Sequence, residues 1–247
     1  HMAEAYMAKG MFSKADQIFR KIEDLSNETM DTLNLMTTKG RSYWRRWDPQ
    51  MAKVMADSLL KFAKERESFE SARFWGDITY GFAYLVEDNY EKADEYQDKS
   101  MGFIAQPEKK ADLESSISYK SWAEILRAYI NLGRENFEDV LALEELVDNK
   151  MFWRPDQKIK KKNILALAYF KLGEKDKAFK TVQENLELNP NHYYTQIALT
   201  RLYEWDDQTE KAAETLRNLL RGVFANADQD TPLIKDLQSW LSELTPQ

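Results

Sequence analysis

His1 and His192 are the only imidazoles in 247 residues, and the chain contains no cysteine. General acid–base and nucleophilic chemistry near neutral pH leans on these side chains. The candidates are therefore few. His1 opens a His-Met pair with the form of a remnant from recombinant expression. His192 follows Asn189-Pro190-Asn191, a turn sequence in which the ring is expected in water. Carboxylates come as adjacent pairs, Glu144-Glu145 and Asp206-Asp207, and neighbours in a helix point apart rather than converging on one metal or substrate. No glycine-rich phosphate loop, HExxH or calcium-loop pattern is present. Lys158, Lys160, Lys161 and Lys162 open a predicted helix, the end at which the macrodipole disfavours cations. They read either as a solvated face or as the surroundings of an acidic ligand. The residues thus predict no catalytic group, cofactor or metal, and no enzyme.

The elements that would position any site are helical. Five times a tyrosine stands nine residues before an alanine: Tyr6/Ala15, Tyr43/Ala52, Tyr84/Ala93, Tyr169/Ala178 and Tyr203/Ala212. A sixth copy, Tyr129 to Val140, is two residues longer, with the extra residues placed after Gly133. A ring followed at fixed distance by a small residue suits a helix, a tight turn and a close antiparallel helix. Ala15 to Ala52 is 37 positions, Ala52 to Ala93 is 41, Val140 to Ala178 is 38 and Ala178 to Ala212 is 34, periods of helical solenoids. Thirteen helices are predicted, near 3–9, 12–25, 29–46, 49–65, 69–87, 90–104, 108–132, 137–149, 156–172, 175–187, 191–204, 208–221 and 232–244. Asp48-Pro49 and Thr231-Pro232 read as N-cap and first-turn proline pairs, and Pro107, Pro155 and Pro190 fall between helices. The fold class is all-α, about six hairpins plus a C-terminal capping helix, in one domain over 1–247. The cap, within 230–247, carries Leu233, Leu237, Trp240, Leu241 and Leu244 along one stripe, suited to closing a stack.

Between Ile159 and His192, Tyr169, Gly173, Ala178 and Pro190 resemble the pattern of a tetratricopeptide repeat (TPR). The units 193–226 and 74–107, the latter with Gly81, Tyr84, Tyr90 and Ala93, are similar to it, as is the unit around Gly40 and Tyr43. The resemblance implies a concave groove, lined by the leading helix of each hairpin, that takes a peptide or helix of a partner protein. The face one helical step from the tyrosines would supply Arg41, Trp44 and Arg45 from the second unit and Trp75, Ile78 and Phe82 from the third. Lys120, Arg127 and Asn131 would come from the fourth, Lys160, Asn163 and Lys171 from the fifth, and Tyr194, Arg201 and Trp205 from the sixth. Such a basic and aromatic groove suits an acidic or aromatic-rich partner. The contrasting reading pairs the arginines with glutamates of adjacent helices and makes the tryptophans core between repeats. The family's carboxylate clamp is not reproduced; Lys160, Asn163 and Arg201 echo it in part.

Hydrophobic residues make up 43% and charged residues 31%, with a net charge of −7, which argues against nucleic acid as partner. The longest apolar run, Ile164 to Phe170, has seven residues, far from the ~20 of a transmembrane span. Absence of cysteine leans slightly toward bacterial or exported chains and leaves cytoplasm and bacterial periplasm both open. The first hairpin starts within its leading helix, so residues upstream (a signal peptide, an anchor or further repeats) are expected to have been removed. Met7 and Phe12 would then lie at a partly uncovered end able to self-associate. Met151-Phe152-Trp153, before Arg154-Pro155, would tuck over the fourth hairpin or offer a contact. The functional expectation is a non-catalytic protein–protein interaction scaffold or adaptor. The alternative is a sensory, regulatory or oligomerisation domain of a larger protein.

Overall fold

A computed structural model describes residues 2–25, 29–66, 70–105, 113–147 and 155–245. These form thirteen helices and, among the described residues, no strand. They are α1 (Met2–Ala8), α2 (Phe12–Leu25), α3 (Thr29–Arg45), α4 (Pro49–Glu65), α5 (Ser71–Val86), α6 (Tyr90–Ile104) and α7 (Leu113–Gly133), followed by α8 (Phe137–Val147), α9 (Pro155–Lys171), α10 (Lys175–Leu188), α11 (Tyr193–Trp205), α12 (Thr209–Arg221) and α13 (Pro232–Leu244). From α1 to α6 and from α8 to α12 successive helices pack on one another, and α3 also meets α5, as α9 meets α11. Leading helices therefore lie side by side, as in an all-α solenoid. Pro155 is the first residue of α9 rather than part of a connection, a position where its missing N–H costs nothing. The predicted start of α7 near 108, Pro107 and the Met151-Phe152-Trp153 run lie outside the described residues.

Each hairpin turns in the same way, and the turn explains the tyrosine–alanine pattern. Gly10, Trp47, Asp88, Glu135, Gly173 and Asp207 have φ between 55° and 88°. The next N–H reaches back five residues, from Met11, Asp48, Asn89, Glu174 and Gln208 to the carbonyls of Tyr6, Tyr43, Tyr84, Tyr169 and Tyr203, at 2.8–3.0 Å. This is the left-handed helix stop that satisfies carbonyls otherwise left without partners. It places each tyrosine one turn before the stop, and the small residue nine on in the first turn of the returning helix. Ala15, Ala52, Ala93, Val140, Ala178 and Ala212 are all fully buried there.

The fourth hairpin corrects the sequence reading. Its stop bond runs from Asn136 N–H to the carbonyl of Asn131, 2.9 Å, with Glu135 left-handed. Asn131 thus stands in the tyrosine place, nine before Val140. The hairpin carries no extra residues. Tyr129 sits two positions further back in α7 and drew the anchor to itself because it is aromatic.

The chain divides into two compact units, one of residues 1–126 with 226–234, the other of 127–225 with 235–247. In the first, Met7 and Phe12 are 2% and 1% exposed, so the expected uncovered end is closed. Arg46 covers the Phe12 ring at 5.4 Å and that of Tyr43 at 4.4 Å, held by a two-point ion pair to Asp16 at 2.9 and 3.2 Å. Leu33, Leu59 and Ala72 form a core flanked by Met36, Met55, Phe62 and Trp75. In the second unit, α9 packs against α8, α10 and α11, which buries Ile164, Leu165, Ala166 and Ala168. Leu233 and Ile234 in the first unit, and Leu237, Trp240 and Leu244 in the second, are buried along α13, while its polar residues face out.

Candidate functional site

In the first unit the sequence-predicted residues meet in an aromatic cluster. Trp44 of α3 stacks on Phe82 of α5, centroids 4.3 Å apart and planes 13° apart, and meets the edge of Trp122 of α7 at 5.9 Å. Trp75 adds edge contacts to Phe74, Tyr119 and Trp122 at 5.3, 5.9 and 6.4 Å. Stacked and edge-on rings are the favoured arrangements. Two guanidiniums cover this cluster. Arg41 lies 5.8 Å from the centre of the Trp75 ring and donates to the Thr38 hydroxyl at 3.2 Å, and Arg45 lies 5.7 Å from that of Trp44. Trp44, Ile78 and Phe82 are buried, so they back the surface from beneath. Arg41, Arg45 and Trp75 are half-buried at its rim, and Lys120 is half-buried on α7.

The second unit divides its set differently. Lys171, the last residue of α9, is exposed, with its ammonium 4.0 Å over the Trp205 ring, which leans on Phe170 at 5.9 Å. Arg201 is exposed, lies 4.1 Å over the Trp240 ring and is bonded to Glu204 at 3.0 Å. Glu204 in turn accepts the Trp240 indole N–H at 3.2 Å. Lys160 and Asn163 are buried. Asn163 donates to the Thr195 hydroxyl at 3.0 Å and accepts from Asn185 at 2.9 Å, while Lys160 faces the half-buried Tyr194 ring at 5.6 Å. These two residues organise the α9–α10–α11 interior.

Several sequence expectations change here. The lysine run is not a solvated face: Lys160 and Lys161 are buried and Lys162 pairs with Glu184 at 2.8 Å, because α9 has neighbours on several sides. His192 is half-buried, its Nδ1 2.9 Å from the Thr195 hydroxyl. With Asn131 as anchor, the residue nine earlier is Trp122 and the residue six earlier is Ile125, the places of Trp75 and Ile78 in the third hairpin. Lys120, Arg127 and Asn131 therefore do not occupy the groove-equivalent positions assigned to them. Arg127, four before the anchor, shares the place of Lys39 and Tyr80. Those side chains turn to the second helix of the preceding hairpin, Lys39 to Glu23 and Tyr80 to Asp57. Trp122 was missed, although its nine-residue spacing to Asn131 was a usable signal.

The electrostatic shifts come from burial and from contacts within the chain. Burial, with a hydrogen bond to Glu144, pushes the Tyr169 hydroxyl up to about 12, and the same bond, with that of Lys177, lowers Glu144. Lys177 covers the Tyr169 ring at 3.9 Å. Asp206 is held low by Lys175 and Gln208, and no group of acidic residues and histidines able to hold a metal forms among the described residues. No helix is long and apolar enough to cross a membrane among those residues.

Against this geometry, residues 162–192 match the family model of the tetratricopeptide repeat. That stretch spans the Tyr169 turn, Ala178 and Pro190, and with thirteen packed helices it fits a TPR-type helical repeat protein. No curated protein matches the chain.

Proposed function

We propose that this chain, acting as one module over 1–247, is a non-catalytic scaffold that holds a peptide or helix of a partner protein on the faces of its leading helices. A TPR-type repeat suggests protein–protein interaction in general. The observation that carries the finer reading is a pair of cations without a carboxylate. Among the described residues neither Arg45 nor Lys171 has an ion pair, whereas Arg46, Lys53, Lys162, Lys175, Lys177 and Arg201 each have one. Each stands at the end of a leading helix, where the macrodipole favours positive charge, and each is stacked on an indole that fixes its direction. An arginine or lysine pre-oriented in this way loses little side-chain entropy on meeting an acidic group. The partner is accordingly a segment with acidic side chains, with Trp75 and Trp205 offering apolar contact at the rim.

With a partner recovered by pull-down from the native source, Arg45→Glu combined with Lys171→Glu is expected to weaken binding at least tenfold, about 1.4 kcal/mol, with an unchanged helical spectrum. Arg127→Glu, off the groove-equivalent positions, serves as control and leaves affinity as it was. Loss of affinity in the control alone would move the site to another face.

A further inference from the structure

The first hairpin lacks something its neighbours have. Asp48 caps α4 by accepting the Met51 N–H, and Asn89 caps α6 by accepting that of Lys92, both at 3.1 Å. The corresponding residue before α2 is Met11, whose side chain has no oxygen to cap with. The cap comes instead from the far end of the sequence. Asp228 Oδ2 accepts the Ser13 N–H at 2.5 Å, and the Asp228 N–H donates to the Gly10 carbonyl at 2.9 Å. Five residues on, the Leu233 N–H donates to the carbonyl of Arg46, just beyond α3, at 3.1 Å. Leu233 and Ile234 are fully buried and Phe12 nearly so. Residues 226–234 are thus seated on the first unit by one carboxylate cap, two main-chain hydrogen bonds and an aliphatic pair. The stretch from Gly222 to Thr231 that carries Asp228 is a run of turns and bends without a helix, so releasing Asp228 breaks no helical ladder, while Leu233 and Ile234 leave with the first turn of α13.

We propose that the α1–α2 turn and the end of α3 form an acceptor site for a protein segment bearing a carboxylate followed, five and six residues later, by two aliphatic side chains. Residues 226–234 fill it in cis, and a partner segment of the same chemistry exchanges into it. Recognition uses the N–H of Ser13 and the carbonyls of Gly10 and Arg46, main-chain groups that every competing occupant must satisfy. The site uses main-chain groups and neither the Arg45 nor the Lys171 side chain.

Two measurements test this on the full chain. In hydrogen exchange of the unaltered protein, the amides of Asp228 and Leu233 are expected to exchange at least tenfold faster than those of the buried Leu216 and Leu219 in α12. Exchange of all four at one rate would show that the segment leaves only with global unfolding and would overturn the proposal. In the second measurement, a fluorescein-labelled peptide of residues 224–236 is titrated into Asp228→Ala, and into Asp228→Asn should the alanine variant fail to fold. Saturable binding at least tenfold tighter than to the unaltered chain is expected, with loss of binding when Asp228 of the peptide is alanine. Equal binding by the alanine peptide, or none by either, would refute the site. Arg45→Glu with Lys171→Glu leaves this titration unchanged, so the two sites fail separately.

Discussion

Replacing Asp77 by asparagine is expected to stabilise the protein at neutral pH. Asp77 lies within α5, is 3% exposed, and its Oδ2 has no hydrogen-bond partner. Burial raises its carboxyl from 3.8 to about 6, against the pull of Arg73 and Lys99. A carboxyl whose folded pKa lies above its unfolded value binds its proton more tightly in the native state. The native state is therefore favoured most below about pH 4, and that contribution disappears as pH rises through about 6. Two pKa units correspond to about 3 kcal/mol; a buried asparagine amide carries a desolvation cost of its own, which reduces the figure to about 1–3 kcal/mol. Asparagine keeps the shape and removes the charge. For a chain of this size, the gain corresponds to a Tm higher by roughly 2–10 °C, read by thermal denaturation of both proteins at about pH 7.5 and about pH 4. The gap should open between these two values. An asparagine variant less stable than the parent at about pH 7.5, or a gap independent of pH, would mean that the ionised carboxylate is stabilised and that the argument from burial is wrong.

Three further substitutions probe the packing and the register. Gly81→Ala places a Cβ 2.3 Å from Cδ2 of the fully buried Leu126, and chemical denaturation should show a loss of about 1–3 kcal/mol. Ala178→Leu should cost a similar amount, about 1–3 kcal/mol, because Ala178 is fully buried where α10 returns along α9; unchanged stability would put the hairpin register in error. Glu135→Gly should gain about 0.5–1 kcal/mol, since Glu135 has φ 62°, and a loss on denaturation would contradict Asn131 as the fourth anchor.

Twelve helix starts among the described residues fall within two positions of the sequence reading. Hairpins of this kind are made from local signals: a helix stop, a proline at the first turn, a small residue where backbones approach. The fourth hairpin departs from the sequence reading because tyrosine is not what marks the turn. The turn is fixed by main-chain geometry, and any residue able to sit at that helical position, including Asn131, can precede it. The candidate site was legible in part. Helical periodicity tells which positions share a face but not which of them neighbouring hairpins cover, so it groups the accessible Arg45 and Lys171 with the buried Trp44, Phe82, Lys160 and Asn163. The seat of residues 226–234 had no sequence signal other than a helix that begins after Met11 without a cap, since its partner stands 215 positions away.

The direct test of an interaction scaffold that works through its leading helices is site-specific photocrosslinking. A benzophenone amino acid is placed in turn at Arg45, Trp75, Lys171 and Trp205, and at the exposed Val54 and Leu188 of second helices. The account predicts that the same partner protein is captured from the native source at the four leading-helix positions and at neither of the other two. Capture confined to Val54 or Leu188 would contradict it.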